Sequence, residues 1–240
     1  MRTYKIYPLH VGDIVRDNTN MMYMVDPGKK ITVPLLAWLL CDGQRYILID
    51  TGGTPADGVH YMPYTQASGC TLEEQLRLHG VSPNEVEIVI LTHLHWDHAG
   101  NNGMFKNATF YVQQKELDYA MAPLAIQKNA YNQELISQTK YITLNGASEI
   151  TEGISVITTP GHSPGSQSVI VNTEKGNFII VGDLICLYAC MERNPMIING
   201  LHTNLFEYYE SMNKVAETGF HVLPGHEPKI LEHSVFPDNK

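Results

Sequence analysis

The chain is short of cations: 16 Lys and Arg stand against 25 Asp and Glu, a net charge of -9 over 240 residues. That balance gives a weak hold on a polyanion, so nucleic acid is not expected as a partner and a neutral or modestly charged small molecule fits better. Long apolar runs are missing as well. The longest, residues 33–41, falls well below the roughly 20 residues of a membrane-spanning helix, and the start, Met1-Arg2-Thr3-Tyr4-Lys5, has no apolar export segment. Together these predict a cytoplasmic protein with no membrane partner. Cysteine is scarce, at 41, 70, 186 and 190 without CxxC spacing, which predicts free thiols, with Cys41 in the core. Repeats, low-complexity tracts and charged linkers are absent, so residues 1–240 are expected to form a single domain, as a monomer or homodimer. With 43% hydrophobic and 17% charged residues, the chain has the composition of a folded globular protein.

What is present is a mixture of strand and helix patterns. Residues 3–9 alternate, 35–40 are continuously apolar, and 46–49 form a β-branched run ending at Asp50-Thr51-Gly52-Gly53. Thr71 with Glu74 has capping-box spacing before Leu72, Leu76 and Leu78, and Gly80 stands where a helix stops. Ser82-Pro83 opens a short turn of helix, and residues 86–91 read as a buried strand. Further strands are predicted at 109–112, 141–144, 154–158, 168–171, 178–181 and 221–223, with helices at 114–121 and from Asn204 to Gly219. The mixture predicts a layered α/β or α+β sandwich.

Five of the eleven histidines follow apolar strands in three short motifs: His93-Leu94-His95-Trp96-Asp97-His98, Pro160-Gly161-His162, and Pro224-Gly225-His226. Gly182-Asp183 ends a further strand. His93 and His95, two apart, can point the same way from an extended segment, while Asp97 and His98 lie a turn further on and can face a second ion. Imidazole and carboxylate donors suit zinc, which brings the pKa of a bound water to about 7 when coordination positions stay open. A lone His after a strand, or Asp183 after a glycine, is ordinarily a structural residue. Four such side chains in the order H-x-H-x-D-H are not.

These motifs, with Pro160-Gly161-His162-Ser163-Pro164-Gly165, Gly182-Asp183, Pro224-Gly225-His226 and the earlier Asp50-Thr51-Gly52 in the same order, resemble the metallo-β-lactamase superfamily. The resemblance runs from about residue 4 to residue 236 and implies a four-layer αβ/βα sandwich with two divalent metal ions, zinc by preference, at one edge. It implies that His93, His95 and His162 hold one metal, that Asp97, His98 and His226 hold the other, and that Asp183 bridges them. Asp50 either orients a ligand histidine or merely caps a turn.

Within the superfamily, the segments 92–101 and 159–168 are similar to the N-acyl homoserine lactonases and relatives such as 4-pyridoxolactonase. That likeness implies opening of a lactone ring by a metal-bridging hydroxide, with Asp97 as general acid to the leaving alkoxide. A glyoxalase II-like thioester hydrolase is the runner-up, set back because only 14 residues follow His226. A metal-dependent phosphodiesterase is a third alternative, disfavoured by the acidic balance. One departure stands out: where the lactonases carry a tyrosine three residues after the bridging aspartate, this chain has Cys186. Either Tyr188 takes over, or the substrate differs, and Cys186 itself is either reactive or a packed thiol. The apolar and aromatic stretches 21–24 and 57–65, including Met22, Tyr23, Tyr61 and Tyr64, either line a substrate pocket or pack on the scaffold.

Overall fold

The computed structural model describes residues 2–58 and 63–238. Its strands in chain order are β1 Lys5–Asp17, β2 Lys30–Cys41, β3 Tyr46–Ile49, β4 Tyr64–Thr65, β5 Val86–Ile90, β6 Thr109–Gln113, β7 Tyr141–Leu144, β8 Ser148–Thr151, β9 Ile154–Thr158, β10 Gln167–Thr173, β11 Gly176–Ile180 and β12 His221–Leu223. A seven-stranded sheet has the order β4-β1-β2-β3-β5-β6-β7, and a five-stranded sheet the order β12-β11-β10-β9-β8.

The alternation of β2 explains why its sequence is apolar at every position. Leu35, Ala37 and Leu39 enter one apolar cluster, which the helix Leu72–Leu78 covers with Leu72 and Leu76. Leu36, Trp38 and Leu40 enter a second, shared with Val156, Val169, Phe178 and Ile180 of the other sheet. A strand buried on both faces has no polar side to show. The five-stranded sheet repeats the logic: Phe178 and Ile180 face the first sheet, while Ile179 turns outward to meet Tyr208, Met212 and Val215 of the helix Leu205–Glu217. Three apolar layers between four strata of secondary structure make the αβ/βα sandwich. Each fully buried Leu, Ile or Val contributes on the order of 1.5–3 kcal/mol.

The helix ends follow local chemistry. Glu74 N–H donates to Thr71 Oγ1 at 3.2 Å and Thr71 N–H donates to Glu74 Oε2 at 3.1 Å, closing the expected capping box. Asn204 Oδ1 accepts from the backbone of Phe206 and Glu207 and starts the helix over 205–217. Some expectations need correction. β1 runs eight residues past the predicted end, across a register shift between His10 and Asp13 where Gly12 takes φ +131, so simple alternation lapses there. Cys41 is half-buried at the end of β2, where its thiol accepts from Gly43 N–H, rather than in the core. All four cysteines are free, and among the described residues no helix is long and apolar enough to cross a membrane.

Pairing directions place the functional loops. β3, β5, β6 and β7 are mutually parallel. In the second sheet β12 is parallel to β11, and β9 and β11 both run antiparallel to β10, hence parallel to each other. The loops after β3, β5, β9, β11 and β12 thus emerge at the carboxyl ends of their strands, the edge where ligands gather in α/β proteins. Gln167 ties the two edges, its backbone N–H donating to Thr92 O at 2.9 Å and its side chain to Leu91 O at 2.8 Å.

Candidate metal centre

The loop after β5 is held from below by the loop after β3. Asp50 takes φ +56, a conformation that L residues rarely adopt, and its carboxylate accepts from Thr92 N–H and Thr92 Oγ1, both at 2.7 Å. The same carboxylate accepts from His98 Nδ1 at 2.8 Å. Asp50 therefore both caps the turn and orients a histidine. Gly52 lies at φ +67, where an added Cβ would meet Val11 at 2.4 Å. Close packing of this loop on β1 rests on that missing side chain.

Above this base seven buried side chains converge. His95 Nδ1 lies 3.0 Å from both His93 Nε2 and His162 Nε2. Asp183 Oδ1 lies 3.1 Å from His98 Nε2 and 2.9 Å from His226 Nε2, and its Oδ2 lies 3.3 Å from His162 Nε2. Donor atoms of His93, His95 and His162 lie within 4.8 Å of one another, as do those of His93, His98 and Asp183, and those of Asp97, His98 and His226. Asp183 thus stands between two triads of candidate ligands.

The tautomers are fixed from outside. His162 Nδ1 donates to Leu201 O at 2.7 Å and His226 Nδ1 to Pro34 O at 2.8 Å; a carbonyl only accepts, so each Nε2 presents a bare lone pair inward. His98 Nε2, His226 Nε2 and Asp183 Oδ1 nevertheless have no hydrogen bond, despite their short separations. They approach one another without donor–acceptor alignment. Buried lone pairs crowded this way are costly unless a cation sits among them. Zinc ligands at about 2.0–2.1 Å in a tetrahedral shell lie about 3.3 Å apart, close to the spacings seen, so these residues fit the group.

Burial sets the charges. It pushes His93 and His95 well below the ordinary imidazole range, helped by the neighbouring histidines, and lowers His162 as well. Burial is the largest influence on His98 and His226 and opposes their charge, yet Asp183, joined by Asp50 at His98 and by Asp97 at His226, raises both. Asp183 goes well below the carboxylate range: burial acts against it, and His226, His98 and His162 prevail. His93, His95 and His162 are thus held neutral, the form that binds a divalent cation, while on His98 and His226 a cation beside Asp183 would take the place of a proton.

Glu116, which carries no motif, braces the whole arrangement. It lies fully buried in the first turn of the helix Gln114–Met121. Its Oε1 accepts from Leu94 N–H at 3.0 Å, and its Oε2 accepts from Ser163 Oγ at 2.6 Å and Gly165 N–H at 3.1 Å. One carboxylate clamps the loops that carry His93, His95 and His162. Gly165 permits the approach, since a Cβ there would fall 2.1 Å from Glu116 N. Only the acidic residue in a first helical turn, just after a strand, hinted at it in the sequence.

A cavity of about 80 Å³ opens over the cluster, walled by Arg16, Met21, Trp96, Asn199 and Leu201, with His95, Asp97, Asp183 and His226 beneath. Of the expected substrate residues, none of those described lines it. Met22 packs in the outer apolar layer with Tyr208 and Met212, and its neighbour Met21 takes the place at the cavity. Tyr23 is exposed and lies edge-on to His202. Tyr64 packs edge-on to Trp96 and spends its hydroxyl on Val11 O at 2.7 Å. Tyr61 falls outside the described residues. The Tyr188 hydroxyl donates to Val222 O at 3.3 Å, and Tyr188 does not line the cavity. Cys186 is fully buried; burial pushes its thiol well up, and its sulfur accepts from Asn199 Nδ2 at 2.9 Å, the setting of a packed thiol.

The fold and this cluster define a class, and the family comparison agrees: residues 33–224 match the metallo-beta-lactamase superfamily, to which the chain belongs. The chain is 30% identical over 194 residues to an N-acyl homoserine lactonase of Bacillus cereus, covering 75% of each. It is 29% identical over 195 residues, with the same coverage, to the N-acyl homoserine lactonase AiiA of Bacillus thuringiensis subsp. kurstaki. Among solved structures it is similar to an N-acyl homoserine lactone hydrolase with the product N-hexanoyl-L-homoserine at its catalytic metal center. That likeness has a TM-score of 0.86 at 25% identity and covers 99% of each chain.

Proposed function

We propose that this chain is a dinuclear metal hydrolase that opens a lactone ring. The observation that carries the proposal is the position of Asp183, whose two oxygens face different histidines of two ligand triads inside one buried cluster. His93, His95 and His162 would hold one cation, Asp97, His98 and His226 the other, and Asp183 both. Held there, a pair of divalent cations, zinc by the nature of the donors, supplies Lewis acidity and a water with pKa near about 7. The protein's own residues do the remainder. Asp50 and Glu116 hold the ligand loops rigid, and the carbonyls of Leu201 and Pro34 keep the imidazoles in the ligating tautomer. Asp97, at the cavity floor, accepts the proton the attacking water sheds and returns it to the ring oxygen as the C–O bond breaks. The similarity to N-acyl homoserine lactonases supports a lactone over other esters. A single domain working in the cytoplasm accords with the four free thiols.

Metal analysis should give about two ions per chain, and Asp183→Asn should abolish hydrolysis while the far-ultraviolet spectrum stays the same. Rates on lactones, aryl esters, S-lactoylglutathione and bis-nitrophenyl phosphate separate the substrate classes. Full activity in metal-free protein, or a dominant thioester or phosphodiester rate, would overturn the proposal.

A further inference from the structure

A second group of donor side chains lies on the seven-stranded sheet, outside the buried cluster. His10 of β1 pairs with Leu36 and Asp13 with Pro34, so Val11 and Gly12 together stand opposite one residue of β2. Residues three apart on a regular strand face opposite sides, and the extra residue of the bulge brings His10 and Asp13 to the same one. There His10 Nε2 lies 3.0 Å from Asp13 Oδ1. A carboxylate only accepts, so Nε2 carries the proton and the neutral ring turns a bare Nδ1 the other way. Cys70, between β4 and the helix Leu72–Leu78, meets that nitrogen with Sγ at 3.8 Å. The segment that delivers the thiol is tied to the same bulge, because Tyr64 Oη and Gln66 Nε2 both donate to Val11 O, at 2.7 and 3.1 Å. His10, Asp13 and Cys70 are all half-buried, within reach of solvent.

Such a trio suits either an activated nucleophile or a pair of ligands, and the local charges decide. Burial, Asp13 and Glu74 push the Cys70 thiol up. An electronegative setting disfavours a resting thiolate, and with it a nucleophile, but it attracts a cation that replaces the thiol proton. The spacing agrees. Zinc bonds of about 2.3 Å to sulfur and about 2.0–2.1 Å to nitrogen set two such donors about 3.6 Å apart in a tetrahedral shell. A carboxylate on the far nitrogen of the ring is the usual orienting partner of a ligating histidine. We propose that Cys70 Sγ and His10 Nδ1 form a third cation site, oriented by Asp13 through the imidazole and completed by water, for a thiophilic divalent ion of the zinc type. With two protein donors and an open face it binds more weakly than the buried cluster and fills when the cation is in excess. It is independent of the reaction proposed for that cluster, and either can fail alone.

The test titrates the zinc-loaded protein with cobalt(II). The buried cluster offers only nitrogen and oxygen donors, so a thiolate-to-cobalt charge-transfer band in the near ultraviolet reports this site and not that one. The band is expected in the wild type and in Cys41→Ser, whose thiol is also half-buried but has no histidine beside it, and it should vanish in Cys70→Ser. Asp13→Asn should weaken cobalt binding about 10-fold with the band in the same place, as expected of a group that acts through the ring. A second measurement needs no variant: added cadmium should slow alkylation of Cys70 by iodoacetamide, read by peptide mass spectrometry, and leave the rate at Cys41 unchanged. No band in excess cobalt overturns the proposal. So does a band that survives Cys70→Ser or disappears in Cys41→Ser, or a Cys70 alkylation rate indifferent to cadmium. If Cys70 instead reacts with a small neutral disulfide faster than Cys41 when no excess metal is present, the trio is an activated nucleophile and the cation site falls.

Discussion

Asp50 sits at φ +56, in a region that costs an L residue on the order of 1–3 kcal/mol, and is kept there by three hydrogen-bond donors on Thr92 and His98. Asparagine tolerates this backbone but cannot accept from all three in the same way. Asp50→Asn is therefore expected to loosen metal retention by about 10- to 100-fold, read by chelator competition, with the fold kept. Retention equal to wild type would reduce Asp50 to a turn cap. For Glu116→Ala, which strands the buried donors Leu94 N–H, Ser163 Oγ and Gly165 N–H, a loss of at least about 1–3 kcal/mol is expected in denaturant unfolding. The two carboxylates differ in how far the sequence reveals them. Asp50 belongs to a motif directly after a strand, whereas Glu116 works by joining loops about 20 and 50 residues away, which no local pattern records. The same holds for Arg16, a cation in a strand whose register only pairing defines. That Tyr64 and Tyr188 stand off the cavity was hidden for a related reason: aromatic character does not say which way a hydroxyl points, and here both donate to backbone carbonyls.

Among the elements, four strands kept the extents read from the sequence, because each is a short run stopped by a polar residue or a proline. Tyr46–Ile49, Tyr141–Leu144, Ile154–Thr158 and His221–Leu223 match those expectations, while β4 and β8, short and only half-buried, carry no such contrast. The helix Leu72–Leu78 offers a pH test. Hydrogen bonds from Thr71 hold the exposed Glu74 carboxyl below its ordinary range. A folded-state value below the unfolded one adds stability above the unfolded pKa, and that stability is lost as pH falls through the folded one. Thr71→Ala should cost about 0.5–2 kcal/mol in neutral solution, and the gap to wild type should narrow in acid as Glu74 protonates, as followed by melting curves across pH. At Gly161 an alanine Cβ would stand 2.4 Å from Tyr208 Cα, so Gly161→Ala should push the His162 loop off the helix Leu205–Glu217 and lower metal content.

For the molecule as a whole, the central layer is the main source of strength. Trp38→Ala would open a void between the two sheets and should cost about 3–5 kcal/mol, a shift that calorimetry reads directly. Each triad at the cavity draws from both sheets: the β5 loop supplies His93, His95, Asp97 and His98, and the loops after β9 and β12 supply His162 and His226. The first sheet is built from chain before residue 145 and the second from chain after residue 147, so the proposed cations act as rivets across a seam between two successive halves of one polypeptide. Stripping them should let the open rim of that seam part before its apolar middle does. Faster amide exchange on both flanking rims, with Trp38 and its neighbours still protected, would be the signature of a jaw that opens at the mouth and holds at the hinge.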